Sequence, residues 1–92
     1  MKAAQLIATQ AKDASDAMTQ AEASAIAVDQ NFTLEMTKWT FADNSILAVR
    51  DIDVFGIDAD DEQSIKAYGD WVGADDPAEV LEVGRLLGAL HE

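Results

Sequence analysis

Along residues 3–28 the apolar positions Ile7, Ala11, Ala14, Met18, Ala21, Ala25 and Val28 recur at alternating steps of four and three. That spacing draws one stripe along a helix. Ten of the chain's seventeen alanines lie in this stretch, which favours helix intrinsically and permits close approach of a neighbouring backbone. The pattern predicts one long amphipathic helix, ended by Asp29, Gln30 and Asn31. A heptad coiled coil uses the same spacing, but alanine at four of the seven seam positions buries little area, so packing on a sheet of the same chain is preferred. Near residue 36 the period changes. Thr37, Trp39 and Phe41 alternate with Met36, Lys38 and Thr40, the two-residue period of a half-buried strand. The turn residues Ala42-Asp43-Asn44-Ser45 predict a hairpin into a second strand over 46–49,. A third strand runs through Val54, Phe55 and Ile57, with Asp51 and Asp53 near the intervening turn.

Residues 58–63 read as a helix start. Asp60 is placed to cap the free amides, Gln63 stands three residues on, and Asp61 and Glu62 suit the positive dipole end,. Ile65, Tyr68 and Val72 then face inward, with Ala67 and Trp71 beside them, and Gly73 stops the helix. Asp76-Pro77 opens another, with Val80, Val83, Leu87 and Leu90 as its buried stripe,. The expected fold is a single α+β domain over residues 1–92. Its parts are a long N-terminal helix, a three-stranded antiparallel sheet and two C-terminal helices. With 92 residues the chain is large enough for one modest core,.

Charge changes the picture. Residues 51–92 contain twelve acids against Lys66 and Arg85, whereas residues 1–50 contain six acids against Lys2, Lys12, Lys38 and Arg50. The formal net charge is −12. A field of that sign excludes electrostatic affinity for nucleic acid or an anionic membrane and favours a basic partner. No stretch approaches the ~18 apolar residues of a membrane span, and Thr9, Gln10, Lys12 and Asp13 interrupt any signal-peptide core,. A soluble intracellular protein is expected, monomeric by default. The absence of cysteine removes disulfides, thiolate metal sites and cysteine nucleophiles,.

Catalysis has little to work with. His91, the one histidine, is next to the last residue, and no nucleophile, base and orienting group can be assembled. An enzyme is not expected, nor a cofactor. Residues 51–62 make a partial calcium-loop match, with acids at positions one, three and twelve and Gly56 at six,. Phe55 at position five and Asp58 at eight break it, so metal binding is not expected. Trp39, Phe41, Phe55, Tyr68 and Trp71 fall on inward periods and are assigned to the core.

Carboxylates three or four residues apart on a helix lie about 5–6 Å apart, a spacing that approximates a row of backbone phosphates. Asp75 or Asp76, Glu79 and Glu82 have this spacing, and Asp58, Asp60, Asp61 and Glu62 make a second cluster. A surface of this kind competes with a polyanion for a DNA-binding protein. A generic acidic inhibitor of a nuclease or histone-like factor satisfies the same pattern, as does a solvated charged face with no partner.

Several segments are specific enough to resemble a known family. These are 25–30 (AIAVDQ), 37–47 (TKWTFADNSIL), 57–61 (IDADD), 64–71 (SIKAYGDW) and 85–87 (RLL). Together they are similar to the family of the second-described type I-F anti-CRISPR protein, from about residue 20 to residue 87. The resemblance implies a small phage-encoded DNA mimic acting in the cytoplasm of the infected bacterium. Its implied partners are the large, PAM-reading subunit of the type I-F Cascade surveillance complex and the adjacent backbone subunit. It also implies contact acids in the loop before the last helix and along that helix, which fall here on Asp75, Asp76, Glu79 and Glu82. The chain departs from this pattern at 31–36, which lacks the usual acids and glycines. Gly84 and Gly88 stand where relatives carry glutamate, and the tail is not an acidic run. Those departures imply a different contact balance or a related target such as type I-C Cascade.

Overall fold

The computed structural model describes residues 1–32, 35–71 and 73. Their order is α1 (Ala3–Gln10), α2 (Ala14–Ser24), β1 (Ala27–Asn31), β2 (Met36–Thr40), β3 (Ser45–Arg50), β4 (Asp53–Asp58) and α3 (Glu62–Trp71). The strands form one antiparallel sheet in the order β1-β2-β3-β4.

This corrects the expected architecture in two places. The N-terminal stretch is two helices, because Asp13 starts a new one: its carboxylate accepts the Asp16 N–H at 2.8 Å. Asp16 in turn accepts the Lys12 N–H at 3.0 Å. A reciprocal cap of this kind satisfies amides that a helix start leaves free. The sheet has four strands, because residues 27–31 leave the helix and pair with β2, Val28 opposite Trp39 and Asp29 opposite Lys38. β2, β3 and β4 coincide with the three strands that alternation and turn residues indicate. The expected second C-terminal helix lies outside the described residues.

Alternation puts different side chains on the two faces of the sheet. Trp39, Phe41, Leu47 and Val49 pack with Ala4, Ile7, Ala17 and Ala21 of α1 and α2. On the other face Met36, Ile46, Ala48 and Ile57 pack with Tyr68 of α3. Phe55, Tyr68 and Trp71 form an aromatic group there, with ring centroids 5.5–6.1 Å apart. β3 is therefore buried on both sides.

The β2–β3 turn also caps α1. Asp43 accepts the Ala3 N–H at 2.8 Å, and Ser45 Oγ accepts the Ala4 N–H at 3.1 Å while donating to Asp43. Ser45 and Ala4 are both fully buried. The Ser45 hydroxyl and the Ala3 N–H hold the Asp43 carboxyl below its usual range. Ser45→Ala strands the Ala4 amide in the core, where a lost partner costs about 1–2 kcal/mol. A drop of that size in urea unfolding free energy is the expected outcome, whereas Ser45→Thr, which retains the hydroxyl, loses less.

Candidate functional site

Three of the candidate partner-binding acids sit where β4 passes into α3. Asp58 ends β4, Asp60 lies in the turn and Asp61 precedes α3. The chain turns tightly here because side chains take up its backbone amides. Asp60 N–H donates to Asp58 Oδ1 at 2.9 Å, Asp58 N–H to Ser64 Oγ at 2.9 Å, and Gln63 N–H to Asp61 Oδ1 at 3.2 Å. Asp61, not Asp60, is thus the residue that caps α3. The expected assignment was one residue early, because Asp60 is drawn away by other partners.

Those partners come from far along the chain. Lys2 Nζ donates to Asp58 Oδ1 at 2.9 Å and to Asp60 Oδ2 at 2.8 Å. Asn44 Nδ2 donates to Asp60 Oδ1 at 2.7 Å, and Ala59 N–H to the Asn44 carbonyl at 3.3 Å. The corner joins the start of α1, the β2–β3 turn, the end of β4 and the start of α3. Sequence reasoning missed Lys2, Asn44 and Ser64 in these roles. Lys2 is 56 residues from Asp58, and nothing in local spacing connects the two.

The electrostatics follow from this contact. Lys2 holds the Asp58 and Asp60 carboxyls below their ordinary value, helped by the Asp60 amide and by Asn44 respectively. The two carboxylates raise Lys2 in return. A carboxyl depressed in the folded state stabilises the protein above the unfolded value near 3.8, and that contribution is lost as pH falls through the folded value,. The raised ammonium contributes below 10.5 and loses its share as pH rises through its folded value,. In Lys2→Gln the two carboxyl titrations are expected to rise toward 3.8, read by carbon-detected NMR. The stability deficit of the variant is expected at neutral pH and should shrink as pH falls through the folded-state values of the two carboxyls,.

Asp75, Asp76, Glu79 and Glu82 lie outside the described residues, as does His91. The structure therefore brings Asp58, Asp60 and Asp61 together and leaves the position of the other four candidates open. The stretch 51–62 that partly matches a calcium loop runs as turn, strand and turn, with Gly56 inside β4. Among the described residues no helix is long and apolar enough to cross a membrane. A cleft of about 570 Å³ opens between Glu35, Arg50, Asp51, Asp53 and Trp71. Its described lining is of mixed charge.

Two comparisons bear on the whole chain. Residues 6–92 match the sequence model of the family described as anti-CRISPR protein AcrF2. A curated relative, "Anti-CRISPR protein 30" of Pseudomonas phage D3112, is 46% identical over 91 residues, covering 95% of this chain and 99% of its own.

Proposed function

Because the chain belongs to the anti-CRISPR protein AcrF2 family, we propose that it blocks target-DNA binding by the type I-F Cascade complex as a mimic of double-stranded DNA. The acids Asp75, Asp76, Glu79 and Glu82 stand in for phosphates on the large PAM-reading subunit. Asp58, Asp60 and Asp61 extend the anionic surface toward that subunit or the adjacent backbone subunit. Inhibition works by occupancy in the host cytoplasm, with no bond made or broken. The observation that carries this reading is the segregation of charge: residues 51–92 carry twelve acids against two bases, while the first half is nearly balanced.

The corner at Asp58–Asp61 is suited to such a role in one respect. Its Asp58 and Asp60 carboxylates stay ionised further into acid than usual and are held by the Asp60 amide, Asn44 and Lys2, so little ordering entropy remains to be lost on binding. Lys2 offsets part of their charge, which makes this the weaker of the two clusters. The test is purification of a tagged chain from cells expressing the type I-F surveillance complex. The complex is expected in the eluate. Its presence only in the flow-through, with another DNA-binding protein retained, assigns the mimicry to a different target.

A further inference from the structure

Among the described residues β1 ends the sheet and pairs on one side only. The bond from Phe41 N–H to the Ser45 carbonyl at 2.9 Å fixes which backbone groups of β2 face β3, namely those of Thr37, Trp39 and Phe41,. Those of Met36, Lys38 and Thr40 face β1. In register with them, Ala27, Asp29 and Asn31 turn their backbone groups to β2. The N–H and C=O of Val28 and Gln30 therefore point off the open edge. Edge strands of stable monomers are usually blunted by lysine, proline or an inward charge. Here Val28, 59% exposed, shares a face with the exposed Gln30, with Ile26 at 68% just before the strand and Phe32 at 85% just beyond it. Asp29 lies on the opposite face, across from Lys38.

Beside this face is a pocket of about 200 Å³ between the end of α2 and β1, lined by Glu22, Ala25, Ile26, Ala27, Val28 and Trp39. Trp39 is only 3% exposed, and its indole N–H has no hydrogen-bond acceptor among the described residues. Buried donors of this kind are normally paired.

We propose that the β1 edge is a second interaction surface, which receives an extended segment of a basic partner protein. The segment adds a strand along Val28 and Gln30 and lays an apolar side chain over Ile26 and Val28 against the Trp39 pocket. Charge selects the occupant. A second copy brings another twelve negative charges. The register that satisfies all four free backbone groups pairs Val28 with Gln30 of that copy and sets Asp29 directly against its own equivalent, a repulsive pairing. In a strand whose lysine or arginine flanks an apolar residue, the apolar side chain lies on the Val28 face and the cation on the opposite face beside Asp29,. This contact is separate from the acidic clusters; backbone and apolar groups carry most of it, and salt screens only the lysine contribution.

The test uses an acetylated, amidated heptapeptide of alternating lysine and valine, titrated into the full chain at physiological salt. Amide exchange at Val28 and Gln30 is expected to slow at least tenfold at saturation, and the Trp39 indole resonance to shift. The same peptide with N-methylated backbone on its pairing edge, or with glutamate for lysine, is expected to do neither. Val28→Glu should weaken peptide binding at least tenfold, while Val28→Ile preserves it. Equal binding of the N-methylated peptide, or shifts confined to residues 51–71, would overturn the proposal. So would slow exchange at Val28 in the free chain together with a dimer in sedimentation, which makes a second copy the occupant. None of these readouts involves Cascade, so failure of the DNA-mimic reading leaves the result unaffected.

Discussion

Gly56→Ala is expected to destabilise the fold by about 3 kcal/mol, the upper part of the cost of overpacking a close contact. Gly56 lies in β4 with α1 across it. A Cβ at this position would sit 2.6 Å from Gln5 Cα and 2.7 Å from both Gln5 N and the Ala4 carbonyl oxygen. All three are backbone atoms, so no side chain can rotate away, and α1 must lift from the sheet. That motion drags on the Ala3 and Ala4 amides held by Asp43 and Ser45 and on the Lys2 contact with Asp58 and Asp60. For a domain of this size, 1 kcal/mol corresponds to roughly 4–8 °C in Tm, so a fall of about 12–24 °C is expected in a calorimetric melt. Gly69→Ala is the informative contrast. Gly69 is inside α3, and among the described residues nothing lies within 4 Å of an added Cβ. Alanine there should raise stability by about 0.5–1 kcal/mol, since it limits the unfolded chain and favours helix.

Neutralising Asp75, Asp76, Glu79 and Glu82 together, as asparagine and glutamine, is expected to produce the largest loss of inhibition. The four carry one third of the net charge of −12. An exposed ion pair contributes about 0.2–1 kcal/mol, so four lost contacts weaken binding by roughly 1–4 kcal/mol, or on the order of 5- to 700-fold. The salt dependence of affinity should flatten in parallel, because fewer charges remain to be screened. Thermal stability should hold or rise slightly as self-repulsion falls. The control needs acids from the near-balanced half, and the structure decides how to change them. Asp13 and Asp16 cap α2, so alanine there costs about 1 kcal/mol of stability. Asparagine at both positions removes the charge, retains an acceptor oxygen and should leave inhibition unchanged.

The strands from 36 to 58 were readable because alternation, turn residues and strand length agree there. The N-terminal third was not. Val28 continues the four-and-three spacing of Ala21 and Ala25, so periodicity alone carried the helix into residues that in fact pair with β2. The break before α2 had a visible signal, an aspartate followed three residues later by another acid. It was outweighed by alanine, which makes every register of a helix acceptable. Only tertiary pairing decides such a segment. Among the candidate acids, charge and position were legible while employment was not. Asp58, Asp60 and Asp61 look alike in the sequence, yet one binds Lys2, one binds Lys2 and Asn44, and one caps a helix. The partners that separate them are 16 and 56 residues away, beyond the reach of any local pattern.

Equilibrium competition tests the central claim most directly. Labelled target duplex is titrated into type I-F Cascade at several fixed concentrations of the chain, at physiological salt. If the chain occupies the duplex site, the apparent Kd for DNA rises in proportion to free chain without limit, and no complex contains both. A Kd that reaches a plateau, or a particle holding duplex and chain together, would contradict DNA mimicry and place inhibition at another site.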